Sequence, residues 1–166
     1  MTVLQTACVA IALIAAGPQA QTPAPQRPRA ELTANVAAPR VAPGAKLHAS
    51  LRVQLPDGVH VQSNAPRDPS FIATALTIDA PAGVTVDRVT YPAASDFSQA
   101  GANAPLSVFG RDFVIEADLT VAAGTTAGEL KIPARLRYQA CNERVCFPPA
   151  RAAAEWSVTV VTVPDR

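Results

Sequence analysis

The chain has 166 residues, 49% hydrophobic and 16% charged, with 16 Pro and a formal charge of +1. That length suits one compact domain and argues against a large multidomain enzyme, while aromatics at 5% argue against a wide aromatic pocket. The 14 Lys plus Arg are balanced by 13 Asp plus Glu and form no basic block, so nucleic acid is not an expected partner.

The first feature along the chain is the apolar run Val9–Ala16 (VAIALIAA), followed by small residues, with Ala15, Gly17 and Ala20 at positions a signal peptidase accepts. It reads as an export signal over residues 1–20, cleaved near Ala20. The run is shorter than the roughly 20 apolar residues of a membrane span, so the mature chain is not expected to cross a bilayer. Cys8 leaves with the signal, and Cys141 and Cys146 remain. Exported chains meet an oxidising compartment, periplasmic or extracellular, where paired thiols become disulfides. The stretch 21–30, with QTPAPQRPR, has little to bury and reads as an extended Pro-rich linker, leaving a folded domain over 31–166.

From Glu31 onward the dominant signal is alternation with period two. In Lys46–Leu55 the set Leu47, Ala49, Leu51, Val53 and Leu55 alternates with Lys46, His48, Ser50, Arg52 and Gln54. The same test marks strands over Phe113–Val121 and Leu130–Tyr138. Shorter candidates are Leu32–Ala37, Val59–Gln62, Thr74–Asp79, Val84–Tyr91 and Ala153–Val161, separated by turns such as Pro56-Asp57-Gly58 and Pro81-Ala82-Gly83. Pro133 lacks a ladder donor, which predicts a sheet edge or a bulge there. Seven or eight short strands with Gly/Pro turns and no helical period predict an all-β fold, an immunoglobulin-like sandwich of two antiparallel sheets. The stretch Pro92–Pro105 (PAASDFSQAGANAP), with Phe97 as its one aromatic, reads as a long loop, either a binding loop or lid or a plain surface connection.

The chemistry-bearing segment follows. Cys141 ends an alternating strand, Asn142–Val145 intervene, and Cys146 begins the return, stiffened by Pro148 and Pro149. If Asn142–Val145 turn as a hairpin, the cysteines face each other at the roughly 4.4–6.8 Å Cα separation a disulfide takes. So small a closed loop stabilises by only about 2 kcal/mol in the chain-entropy model. Arg137 and Arg144 favour a thiolate and Glu143 opposes it. Three readings stay open at this point: a bridge pinning a hairpin in a binding or scaffolding module, a redox pair, and a metal site. The last would need His48 and His60, which do not complete a zinc spacing and read as strand residues.

The run Tyr138-Gln139-Ala140-Cys141 with Cys146-Phe147-Pro148-Pro149 resembles the signature of the N-terminal periplasmic domain of the thiol:disulfide interchange protein DsbD. Weaker likenesses are Val41-Ala42-Pro43-Gly44, Gly58–Ser63 and Ser107–Asp112, so the resemblance covers about Glu31–Val161. It implies an immunoglobulin-like fold whose cysteines cycle between dithiol and disulfide, relaying electrons from a thioredoxin-like domain of a membrane donor to periplasmic thiol proteins. It further implies that Cys146 forms the intermolecular bond and Cys141 resolves it, with Tyr138, Phe147 and Pro148 around the pair. By position, Asp96 and Phe97 would form a cap loop over the site. No cofactor or metal is expected, because thiolate attack on a disulfide moves two electrons directly. Two departures stand out: the cysteines are one residue closer than in the best-known members, and Val59-His60-Val61 lacks their flanking aromatics. The family's membrane and thioredoxin-like domains are not in this chain, so the electron supply is expected from another polypeptide.

Overall fold

The computed structural model describes residues 27–101 and 103–162. The export signal and positions 21–26 of the linker lie outside the described residues. Twelve strands occur among the described residues, and no helix: β1 (Glu31–Val36), β2 (Arg40–Val41), β3 (Lys46–Gln54), β4 (His60–Gln62), β5 (Ala75–Ile78), β6 (Val84–Thr90), β7 (Ser95–Phe97), β8 (Leu106–Phe109), β9 (Asp112–Val121), β10 (Gly128–Tyr138), β11 (Ala140–Cys141) and β12 (Ala150–Val160).

Two four-stranded sheets, β1-β3-β9-β6 and β2-β12-β10-β5, form the sandwich. Their inner faces are the alternating apolar sets. Leu51 lies opposite Ile115 and Val53 opposite Phe113 in one sheet, and Ile132 lies opposite Trp156 in the other. Leu136 and Tyr138 face Ala152 and Ala150, so large side chains sit across from small ones and an alanine-rich chain still fills its core. Trp156 crosses between the sheets, donating Nε1–H to the Ser50 carbonyl at 2.8 Å, which satisfies the one polar atom of a buried indole. The predicted all-β sandwich is thus the observed architecture. One pairing is parallel, β2 against β12.

Pro133 is not on an edge strand. It lies in β10, between β12 and β5, and its carbonyl accepts from Asp79 N–H at 2.9 Å. A strand residue turns its N–H and C=O to the same side, so the missing donor faces the place where β5 ends after Ile78. The proline terminates that short ladder without interrupting the eleven-residue pairing to β12.

A third sheet, β11-β4-β8-β7, was not foreseen. Gln54, Asp112 and Tyr138 mark one end of the sandwich: Gln54 pairs with both Glu31 and Asp112, and the Tyr138 hydroxyl accepts from Ala30 N–H at 2.9 Å. β4, β8 and β11 continue from β3, β9 and β10 at that end. The turn leading to β4 has Val59 N–H donating to the Pro56 carbonyl, with Gly58 at φ 70°, a conformation other residues adopt only with strain. The strands β4, β8 and β11 are buried at every residue or nearly so, which anchors this sheet to the core through Val61, Phe109 and Ala140.

Candidate functional site

The third sheet carries the cysteines. Asn142 N–H donates to the Val145 carbonyl at 2.9 Å, and the Asn142 side-chain oxygen accepts from the N–H groups of Arg144 and Val145, both at 2.9 Å. Asparagine at the head of the loop thereby builds the turn from its own side chain. On the far side of the pair, Phe147 N–H donates to the Ala140 carbonyl at 2.8 Å. Bonds at both flanking positions make Cys141 and Cys146 a non-hydrogen-bonded antiparallel pair, the register in which side chains stand closest. Their Cα atoms are 4.0 Å apart and the sulfurs form a disulfide.

The two sulfurs sit in unlike surroundings. Cys141 has 0% exposure, held in β11 against β4 with His60 as its cross-strand partner. Cys146 is half-buried at the tip, next to Val145, which is 51% exposed. Gln62, two residues along β4 from His60 and on the same face, donates Nε2–H to Cys141 Sγ at 3.7 Å. The Gln99 side-chain oxygen lies 3.9 Å from Cys146 Sγ.

Asp96 and Phe97 lie on β7, a short strand within the stretch Pro92–Pro105 that the sequence predicts as a loop. β7 pairs with β8 through Ser95–Val108, Asp96–Ser107 and Phe97–Leu106. Phe97 places its ring 4.0 Å from the His60 imidazole, tilted by 39°. The segment is clamped from outside by Arg67, which donates to Asp96 Oδ1 at 2.5 Å and to the Pro105 carbonyl at 2.8 Å. Phe97 therefore rests on the partner residue of Cys141, and Gln99, two residues later, reaches Cys146.

The remaining residues named from the sequence divide by position. Tyr138 is a core residue whose hydroxyl secures Ala30, at the sandwich end of the segment. Phe147 packs half-buried against the core, and Pro148 is exposed. Gln139 ties the surroundings together, its oxygen accepting from Ile72 N–H at 2.9 Å and its nitrogen donating to the Phe147 carbonyl at 3.4 Å. His48 is far from this end, on the outer face of β3, bonded to Asp118 at 2.9 Å.

Gln99 is a neighbour that sequence reasoning missed, while His60 and Gln62 lie on the expected strand Val59–Gln62 without having been given a part in the site. Among the described residues, the buried side-chain polar atoms without a partner are His60 Nε2 and Gln62 Oε1. Both lie on β4 beside Cys141. Burial alone pushes the His60 imidazole below its ordinary pKa, keeping it neutral at physiological pH. The site thus combines a bridged cysteine pair, one sulfur in a water-poor setting and the other near solvent, with uncharged polar groups around the buried one.

Comparison with known proteins identifies the frame. The family model described as "Thiol:disulfide interchange protein DsbD, N-terminal" matches residues 29–156. No curated protein matches the chain. Among solved structures, the N-terminal periplasmic domain of ScsB from Proteus mirabilis is similar, with 16% identity and a TM-score of 0.46, over 79% of this chain and 45% of that one. A family 123 glycoside hydrolase from Clostridium perfringens shows 8% identity and a TM-score of 0.36, over 80% of this chain and 27% of the other. The chain thus spans less than half the length of either.

Proposed function

The chain belongs to the DsbD N-terminal domain family, a family of thiol–disulfide interchange, and from that membership we propose that its Cys141–Cys146 pair relays reducing equivalents outside the cytoplasm. The donor is a thioredoxin-like domain of a membrane electron carrier, and the acceptors are periplasmic thiol–disulfide proteins. Residues 1–20 serve as the export signal in this reading, and 31–166 as the working domain.

The observation that carries the proposal is the contrast between the two cysteines: Cys146 partly exposed at a hairpin tip, Cys141 fully buried behind it. Exchange requires an attacking thiolate to approach along the sulfur–sulfur axis, which favours attack on the accessible sulfur. A donor thiolate bonds to Cys146 Sγ, the Cys141–Cys146 bond breaks, and its electron pair leaves on Cys141 Sγ. The donor's second thiol, deprotonated, then attacks its own mixed-disulfide sulfur and releases Cys146 as a thiolate. The donor dithiol becomes a disulfide, and this chain gains two electrons, taking up two protons when both thiolates are protonated. Delivery to an acceptor is the reverse sequence, with Cys146 attacking and Cys141 resolving. Exposed Val145 and Pro148 flank Cys146 and supply an apolar rim for a partner, while Phe97 and Gln99 act as the cap.

Two measurements test this. Cys141→Ala is expected to trap a mixed disulfide through Cys146 with a thioredoxin-like partner; trapping by Cys146→Ala instead would reverse the roles. A redox titration against glutathione is expected to give a midpoint within roughly −120 to −270 mV. A value below about −300 mV would mark a structural bridge and overturn the relay.

A further inference from the structure

Gln62 is in an unusual situation. It is an uncharged polar side chain with 0% exposure. Its oxygen has no partner, and its nitrogen has a sulfur 3.7 Å away, a weak acceptor while it is bridged. A buried amide so poorly satisfied in the oxidised state costs stability that an apolar side chain of the same size would not.

The register explains why it is aimed at Cys141. Cys141 pairs with His60 across β11 and β4, so Gln62 stands diagonally beside it on the same face, within reach of a long side chain. Among the described residues it is the one side chain that donates to Cys141 Sγ. Water does not reach that sulfur, and the imidazole opposite is held neutral by burial.

We propose that Gln62 is a catalytic residue of the exchange reaction, its amide N–H stabilising the negative charge that develops on Cys141 Sγ when the bridge opens. The proposal rests on the relay reading and specifies how its buried sulfur leaves. When a donor dithiol's thiolate bonds to Cys146 Sγ, the sulfur–sulfur electron pair passes to Cys141 Sγ, which becomes a thiolate inside the protein. A hydrogen bond to an ionised acceptor is roughly twice as strong as one to a neutral acceptor. The Gln62 contact therefore strengthens as the bond breaks, and an interaction stronger in the transition state than in the ground state accelerates the step. In the reverse direction it holds Cys141 as the thiolate that resolves the mixed disulfide. An amide donor suits both directions because it does not titrate and remains a donor at any physiological pH.

The test uses the full chain, with dithiothreitol as the donor dithiol and stopped-flow detection. Gln62→Leu and Gln62→Met, which keep the bulk and remove the donor, are expected to slow reduction about three- to tenfold. In a Cys146→Ser background the Cys141 thiol, followed by thiolate absorbance, should titrate about one pH unit higher in Gln62→Leu than with Gln62 present. A purely structural role would move neither the thiol titration nor the rate in a variant that stays folded, and folded variants with wild-type values would overturn the proposal. Should neither variant fold, the Gln62 side-chain amide resonance of the wild type decides. A downfield movement on reduction at alkaline pH supports the contact, and an unmoved resonance removes it. A wild-type bridge that resists dithiothreitol altogether would sink the relay itself, whereas equal rates in wild type and variants would sink Gln62 alone.

Discussion

Replacing Phe97 by Ala separates a cap from a surface decoration. The ring is partly exposed and touches the His60 imidazole at 4.0 Å. The backbone of β7 keeps its three pairs to β8, and the Arg67 clamp on Asp96 and Pro105 is untouched. The loss is therefore local. A fully buried Phe→Ala change costs about 3–5 kcal/mol. A half-covered ring with one aromatic neighbour should cost about 1–2 kcal/mol, lowering the melting temperature by about 3–8 °C for a domain of this size. The same energy lost from the closed cap raises its open fraction by about 5- to 30-fold. Alkylation of the reduced pair by a bulky maleimide should accelerate within that range. A second readout follows from the electrostatics. Burial alone depresses the His60 pKa, so uncovering the ring should return it toward about 6.5 in an NMR titration. Unchanged alkylation, together with a His60 titration that stays where it was, would refute the reasoning and detach Phe97 from the site.

Other expectations follow from the same geometry. Loss of the bridge in Cys146→Ser should cost about 2 kcal/mol in a denaturant titration, because so short a loop constrains the unfolded chain little; a loss several times larger would mean that the hairpin is a structural staple. His60 should make stability pH-dependent: its folded pKa lies below the unfolded value of about 6.5, so the unfolded chain binds the proton first. Stability is then unaffected above about pH 6.5 and falls as pH drops from there through the folded pKa. Calorimetry of His60→Asn should show that acid slope flattened, and an identical slope would assign it elsewhere. Arg67→Ala, which removes an exposed clamp, should cost less than about 1 kcal/mol yet increase hydrogen exchange in β7 selectively. Tyr138→Phe should destabilise by about 1 kcal/mol, through the loss of the acceptor for Ala30 N–H, with no change in the rate of disulfide reduction; a slowed reaction would bring Tyr138 into the site.

The strands of the sandwich could be read along the chain because each has one buried and one wet face. β3 and β9 alternate almost without exception, and period two is what a half-buried strand looks like. β4 falls within the expected strand Val59–Gln62, whereas β8 gave no such signal. Every residue of Leu106–Phe109 and of His60–Gln62 is buried, so the polar residues His60, Gln62 and Ser107 mark no solvent face. β7 and β11 are too short to show any period. Pro133 was misplaced for a related reason. A missing N–H is a fact of sequence, but which side it faces, and that a neighbouring strand ends there, depends on pairing with residues more than fifty positions away.

The cysteine site divides along the same line. The pair lies five positions apart, and Asn142 shapes the intervening turn by itself, so bridge and hairpin are local properties that a linear reading could find. The neighbours of Cys141 are not local. Gln62 lies 79 residues away from it, and Gln99 lies 47 from Cys146, brought there by strand pairings that no periodicity announces. From the chain alone came the β-sandwich, the bridging pair and the class of chemistry it suggests. Folding alone decided which sulfur is buried, which faces solvent, and what stands beside each, because burial and hydrogen-bond partnership are set by long-range packing rather than by sequence neighbours.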